Sequence, residues 1–159
     1  FRRIGLIRNP TNFGTSTVAS ADTRRQLYAA IFSSVSGTFT ADEEINQAST
    51  GAVGKVVEYD STNKILYYIQ TRFNDEGVDS NGNKTAFSGA NVVTGRGGGS
   101  PTGTPDTGFS STVNGSSFTS GYSSSELDAD SGDVMYIENR APITRATDQT
   151  ENVKLIIEF

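Results

Sequence analysis

The sequence contains no cysteine, no histidine and no tryptophan. Without cysteine there is no disulfide framework and no thiolate metal site, although the compartment stays open. The lack of histidine removes the commonest general base and the commonest metal ligand together. No apolar run approaches the ~20 residues that a membrane-spanning helix needs, and no charged-then-apolar leader precedes the domain, so membrane insertion is not expected. Positive charge is in deficit as well: 13 Lys and Arg against 18 Asp and Glu leave a net charge of −5. No global positive field exists to gather phosphate backbones, and nucleic acid is not an expected partner. The chain opens at Phe1 rather than Met, which reads as a processed or partial product.

What remains is material for short strands and many turns. Hydrophobic residues make up 34% of the 159, glycine alone numbers 17, and serine and threonine are abundant. The expected class is all-β, mainly antiparallel sandwich or barrel-like sheets, in a single domain over 1–159 that buries roughly 70% of its unfolded surface. One short amphipathic helix is expected near the N-terminus: Ser20 or Asp22 can cap it, and Leu27, Tyr28, Ile31 and Phe32 recur at helical spacing. Its plain role is to cover a sheet, its alternative to dock a partner.

Along the chain, 1–10 alternates weakly and halts at Asn9-Pro10, as an edge strand or extended arm would. Val56, Val57 and Tyr59 lead into Asp60-Ser61-Thr62-Asn63, and Ile65, Tyr67 and Ile69 lead out, which predicts an antiparallel hairpin. Gly51 and Gly54 before it suggest a bend or bulge. Phe39 and Ile45 share their spacing with Phe87 and Val93, which is either a degenerate repeat or coincidence. Asn81-Gly82 and Asn114-Gly115 are hairpin dipeptides. Residues 94–131 form a Gly/Ser/Thr-rich stretch too long for an ordinary loop, so it is functional, disordered alone, or strand-forming. An extended excursion packing on a neighbouring chain is the reading taken, with Phe109, Phe118 and Tyr122 as anchors, against a solvated loop. Val153, Leu155, Ile157 and Phe159 alternate with Lys154, Ile156 and Glu158 and predict a half-buried terminal strand that closes a sheet.

Little chemistry is encoded. Asp79, Asn81 and Asn83 have calcium-loop spacing, but the glycine falls at 82 and no Glu closes the loop, so a polar turn is expected. Asp128, Asp130 and Asp133 read as solubilising a turn. Asp42, Glu43 and Glu44 are adjacent, whereas glycoside hydrolysis requires two carboxylates on opposite sides of a bond. The 95–99 run lacks the Gly-Lys-Ser/Thr ending of a phosphate loop. No enzyme, no cofactor and no metal are expected.

Two stretches carry a likeness. Asp133-Val-Met-Tyr-Ile-Glu-Asn-Arg140, then Ala141-Pro-Ile-Thr-Arg145 and Asp148-Gln-Thr-Glu151, resembles the C-terminus of the baseplate wedge subunit known as gene product eight in T4-like contractile-tailed phages. The segment Gly51-Ala-Val-Gly-Lys-Val resembles small β-modules of phage tail proteins. The first resemblance implies a mostly β, non-enzymatic structural subunit of the virion tail baseplate, assembled in the host cytoplasm. It also implies homodimer pairing and contacts with other wedge proteins. Family members are longer, so the chain would be a C-terminal portion or a shortened relative. Around stiff Pro142, Arg140 and Arg145 with Asp148 and Glu151 make a charge set that either braces its own loop or clamps a partner. With Phe109, Phe118 and Tyr122 they are the candidate partner-interface residues. A receptor- or glycan-binding β domain of a fibre or particle surface is the competing expectation.

Overall fold

A computed structural model describes residues 2–20, 27–70, 76–128 and 131–140. Among them run β1 (Arg2–Arg8), β2 (Tyr28–Ser36), β3 (Glu44–Gln47), β4 (Ala52–Asp60), β5 (Ile65–Ile69), β6 (Val93–Gly95), β7 (Thr102–Pro105), β8 (Thr112–Val113), β9 (Ser116–Ser117), β10 (Tyr122–Ser123) and β11 (Asp133–Arg140). Strands β2, β5, β4, β3, β6 and β7 pair antiparallel in that order, and β7 returns to β2, closing a six-stranded barrel. Closure leaves the barrel without a raw edge. β10 adds to the first half of β2, opposite Ala29 and Ala30. β1 and β11 pair only with each other, as a two-stranded ribbon outside the barrel.

The expected short helix is not there: the described residues hold no helix, and Tyr28, Ile31 and Phe32 lie in β2. Its proposed caps at Ser20 and Asp22 flank 21–26, of which Asp22 lies outside the described residues. The physical reason for the misreading is burial on both faces. Ala30 and Phe32 enter the main core with Phe39, Ile45, Val56, Leu66 and Tyr68, while Ala29 and Ile31 pack on the other side with Ile65 and Phe118. A strand buried on both faces gives a continuous apolar run, and such a run imitates a helical stripe when read in sequence alone.

Inside the barrel the rings interlock. Phe32 stacks on Phe39 at 5.7 Å, and Tyr68 meets Phe87 edge-on at 4.8 Å. Gly103 makes room for this packing, since a Cβ there would lie 2.8 Å from the Phe32 ring. Phe39, Ile45, Phe87 and Val93, the four residues of the suspected repeat, converge in this one core. The β4–β5 hairpin forms as the sequence predicts, with Asp60 opposite Ile65. Asn114 and Gly115 turn β8 into β9 with φ of 50° and 74°, the backbone that an Asn-Gly pair accepts at low cost.

The Gly/Ser/Thr-rich stretch is strand-forming: β7 to β10 lie within it, and β7 is the stave that closes the barrel.

Candidate interaction surface

Asn9 stops β1 with a left-handed φ of 52°, and Gly132, at φ 97°, starts β11 with its Cα against the Arg8 carbonyl. Between them the root of the ribbon is laced. The Thr11 amide donates to Ser131 Oγ at 2.9 Å, Ser131 Oγ donates to the Asp128 carbonyl at 2.7 Å, and the Asp128 amide donates to the Thr11 carbonyl at 3.0 Å. Arg8 faces Asp133 across the pair at 3.4 Å. From this root β1 and β11 run antiparallel, Leu6 opposite Tyr136 and Ile4 opposite Glu138, with an irregularity between Leu6 and Ile7.

The ribbon is apolar and bare. Val134, Met135, Tyr136 and Ile137 are 62%, 64%, 49% and 68% exposed, and Leu6 and Ile7 across from them 54% and 45%. Neighbours along a strand point to opposite faces, so four consecutive exposed residues leave both faces uncovered. Of the ten exposed large hydrophobics among the described residues, six sit on these two strands. Scattered singly, exposed apolar residues have no significance; gathered on one element, they mark a surface made for contact.

The candidate interface residues divide. Phe109 and Phe118 meet edge-on at 6.0 Å, and Phe118 is buried against Ala29, Ile31 and Ile65 on the outer side of β2. The Tyr122 hydroxyl donates to the Gly89 carbonyl at 2.8 Å and accepts from Gln47 Nε2 at 3.2 Å, and burial raises its pKa. Arg140 ends β11, its backbone opposite Arg2. Arg145, Asp148 and Glu151 lie outside the described residues, as does the expected strand at 153–159. The aromatic anchors are thus brought together on the barrel, and Arg140 is placed on the ribbon. Sequence reading missed Leu6, Ile7 and the run from Val134 to Ile137 as a surface. One signal was available: Val-Met-Tyr-Ile holds no polar residue where a half-buried strand would alternate.

The acidic residues weighed for chemistry have structural work. Glu43 is buried and accepts from the Thr40 and Gly97 amides at 3.0 and 2.8 Å. Lys55 pairs with Asp42 at 3.0 Å, and Arg96, the arginine of the glycine run, bridges Glu44 and Glu76, contacts that hold its pKa above the ordinary value. Asp79 Oδ1 accepts from the Asn81 and Asn83 amides at 2.9 and 2.8 Å, which makes the loop the polar turn its spacing suggested. No group of three or more acidic residues is placed to hold a metal among the described residues.

A closed β-barrel with its acids engaged in turns and ion pairs, carrying a bare apolar ribbon, defines a protein whose surface offers contact rather than chemistry. Comparison with known families agrees: residues 104–159 match the family described as Bacteriophage T4, Gp8, a baseplate wedge protein. The match begins in β7 and takes in all of β11. It bears out the resemblance drawn from Asp133 to Glu151. No curated protein and no solved structure matches the chain.

Proposed function

We propose that the chain is a structural subunit of a phage tail baseplate wedge and holds neighbouring wedge proteins by protein–protein contact. The observation that carries this reading is the bare ribbon, one strand of which, β11, falls inside the matched family region. An apolar surface open on both faces is costly in water and stabilising once a partner covers it, at about 25 cal/mol per Å² removed from solvent. The ribbon is the primary contact. Arg140, Arg145, Asp148 and Glu151, which follow β11 in the chain, supply charged contacts beside it, and a second copy of the chain is one of the partners. The place of action is the virion tail, reached by assembly in the host cytoplasm.

The test is reconstitution of the full chain with the other baseplate proteins of its phage. Met135→Glu and Ile137→Glu, at exposed positions, are expected to leave the barrel's melting temperature within a few degrees of the parent. Co-assembly is expected to fall at least tenfold. Undiminished co-assembly by both variants would overturn the ribbon as the contact. Arg145→Ala is expected to weaken assembly more than it lowers the melting temperature.

A further inference from the structure

Two strands alone hold together poorly in water, and the β1–β11 ribbon has a free outer edge on each side among the described residues. We infer that residues 153–159, Val-Lys-Leu-Ile-Ile-Glu-Phe, add to the outer edge of β11 as a third, antiparallel strand, and that this widened sheet is the docking surface. The second half of this inference rests on the proposed function; the pairing itself does not.

Length and order favour the β11 edge. The stretch is as long as β1, and 141–152 lie between it and the end of β11, a connection that spans at most about 40 Å and is ample for a return. Strands consecutive in sequence are neighbours in space roughly two-thirds of the time.

The residues also select a register. With Lys154 opposite Glu138, Leu155 falls opposite Ile137, Ile156 opposite Tyr136 and Ile157 opposite Met135: one opposite-charge pair followed by three apolar ones. A slip of one residue sets Glu158 opposite Asp133, two like charges, and a slip the other way sets Leu155 opposite Glu138. The favoured register makes the faces unequal. Opposed residues share a face, so Val153, Leu155 and Ile157 join Ile137, while Lys154 and Glu158 go to the face of Glu138 and Tyr136. The Ile137 face becomes the uncharged one and is the face a neighbouring wedge protein covers.

The chain has no native cysteine, so an introduced pair reports without interference. In the full-length chain, Ile137→Cys with Leu155→Cys is expected to oxidise to a disulfide within one chain, read as a monomer mass lowered by two hydrogens. Gly5→Cys with Leu155→Cys is expected to remain reduced, because Gly5 sits opposite Ile137 on β1, two strand spacings of about 4.8 Å away from the added strand. A bond between two chains would assign the edge to a second copy. A bond formed as readily to Gly5 would assign it to β1. Either result overturns the pairing, as does no bond in a chain whose barrel keeps its denaturation midpoint. If the paired variant loses that midpoint, amide exchange on the parent chain decides: Leu155→Pro should speed exchange along 133–140, and unchanged rates overturn the pairing. If the disulfide forms while Ile137→Glu assembles normally, the third strand stands and the docking reading falls. If Ile137→Glu blocks assembly and no disulfide forms, the docking reading stands and the third strand falls.

Discussion

Asp60 shows how much one side chain carries in a fold with little core. Its carboxylate accepts from Asn63 Nδ2 at 2.7 Å, from the Thr62 and Asn63 amides at 2.9 and 3.1 Å, and from Asn114 Nδ2 at 3.0 Å, so it closes the β4–β5 turn and ties the β8–β9 turn to it. These bonds, the Asn63 side chain foremost, hold its pKa below the ordinary 3.8. A depressed folded value means that the contribution to stability is present above the unfolded-chain pKa and fades as pH falls through the folded one. Carboxyl titration by NMR should therefore find Asp60 below 3.8, and Asn63→Ala should move it upward. An unshifted Asp60 in the parent chain would refute the assignment. Phe118 tests a different claim. It is 4% exposed, and Phe118→Ala should cost about 3 kcal/mol in urea unfolding. A loss under about 1 kcal/mol would mean that the residue is not packed as described. Gly103→Ala, which drives a methyl into the Phe32 ring, should cost about 1–3 kcal/mol.

Among the elements, local signals were legible and long-range pairing was not. The β4–β5 hairpin could be read because alternation and a polar turn lie side by side in the sequence, and the β8–β9 turn because Asn114-Gly115 suits a backbone few other pairs adopt. β2 could not, since its two buried faces depend on β5, β7 and β10, strands that come 29 or more residues after its start. β7 escaped for a similar reason: Thr-Gly-Thr-Pro has almost no strand propensity and is held by pairing to Val93 and Thr94 on one side and to Phe32, Ser34, Val35 and Ser36 on the other. The ribbon was half legible. The strand nature of Val134 and its neighbours, and the arm-like beginning of the chain, could be read, but their mutual pairing joins residues more than 120 positions apart. Their exposure was invisible, because hydrophobic residues in a strand are ordinarily taken as core.

At the scale of the whole molecule, the described residues form a closed barrel whose two flanking segments pair as a ribbon at one root. A barrel without a raw edge satisfies itself and resists unwanted pairing, which suits a part meant to join an assembly at a chosen place. The place is the ribbon, where apolar area is left for a neighbour to cover. Met135 lies at its middle, 64% exposed, and is the only methionine in the chain. Mild peroxide adds one oxygen to an accessible methionine, so a single mass shift reports on this surface. Oxidation should be rapid in the free chain and at least tenfold slower once the chain is incorporated with the other baseplate proteins. Equal rates in the free and assembled states would contradict the ribbon as the contact surface.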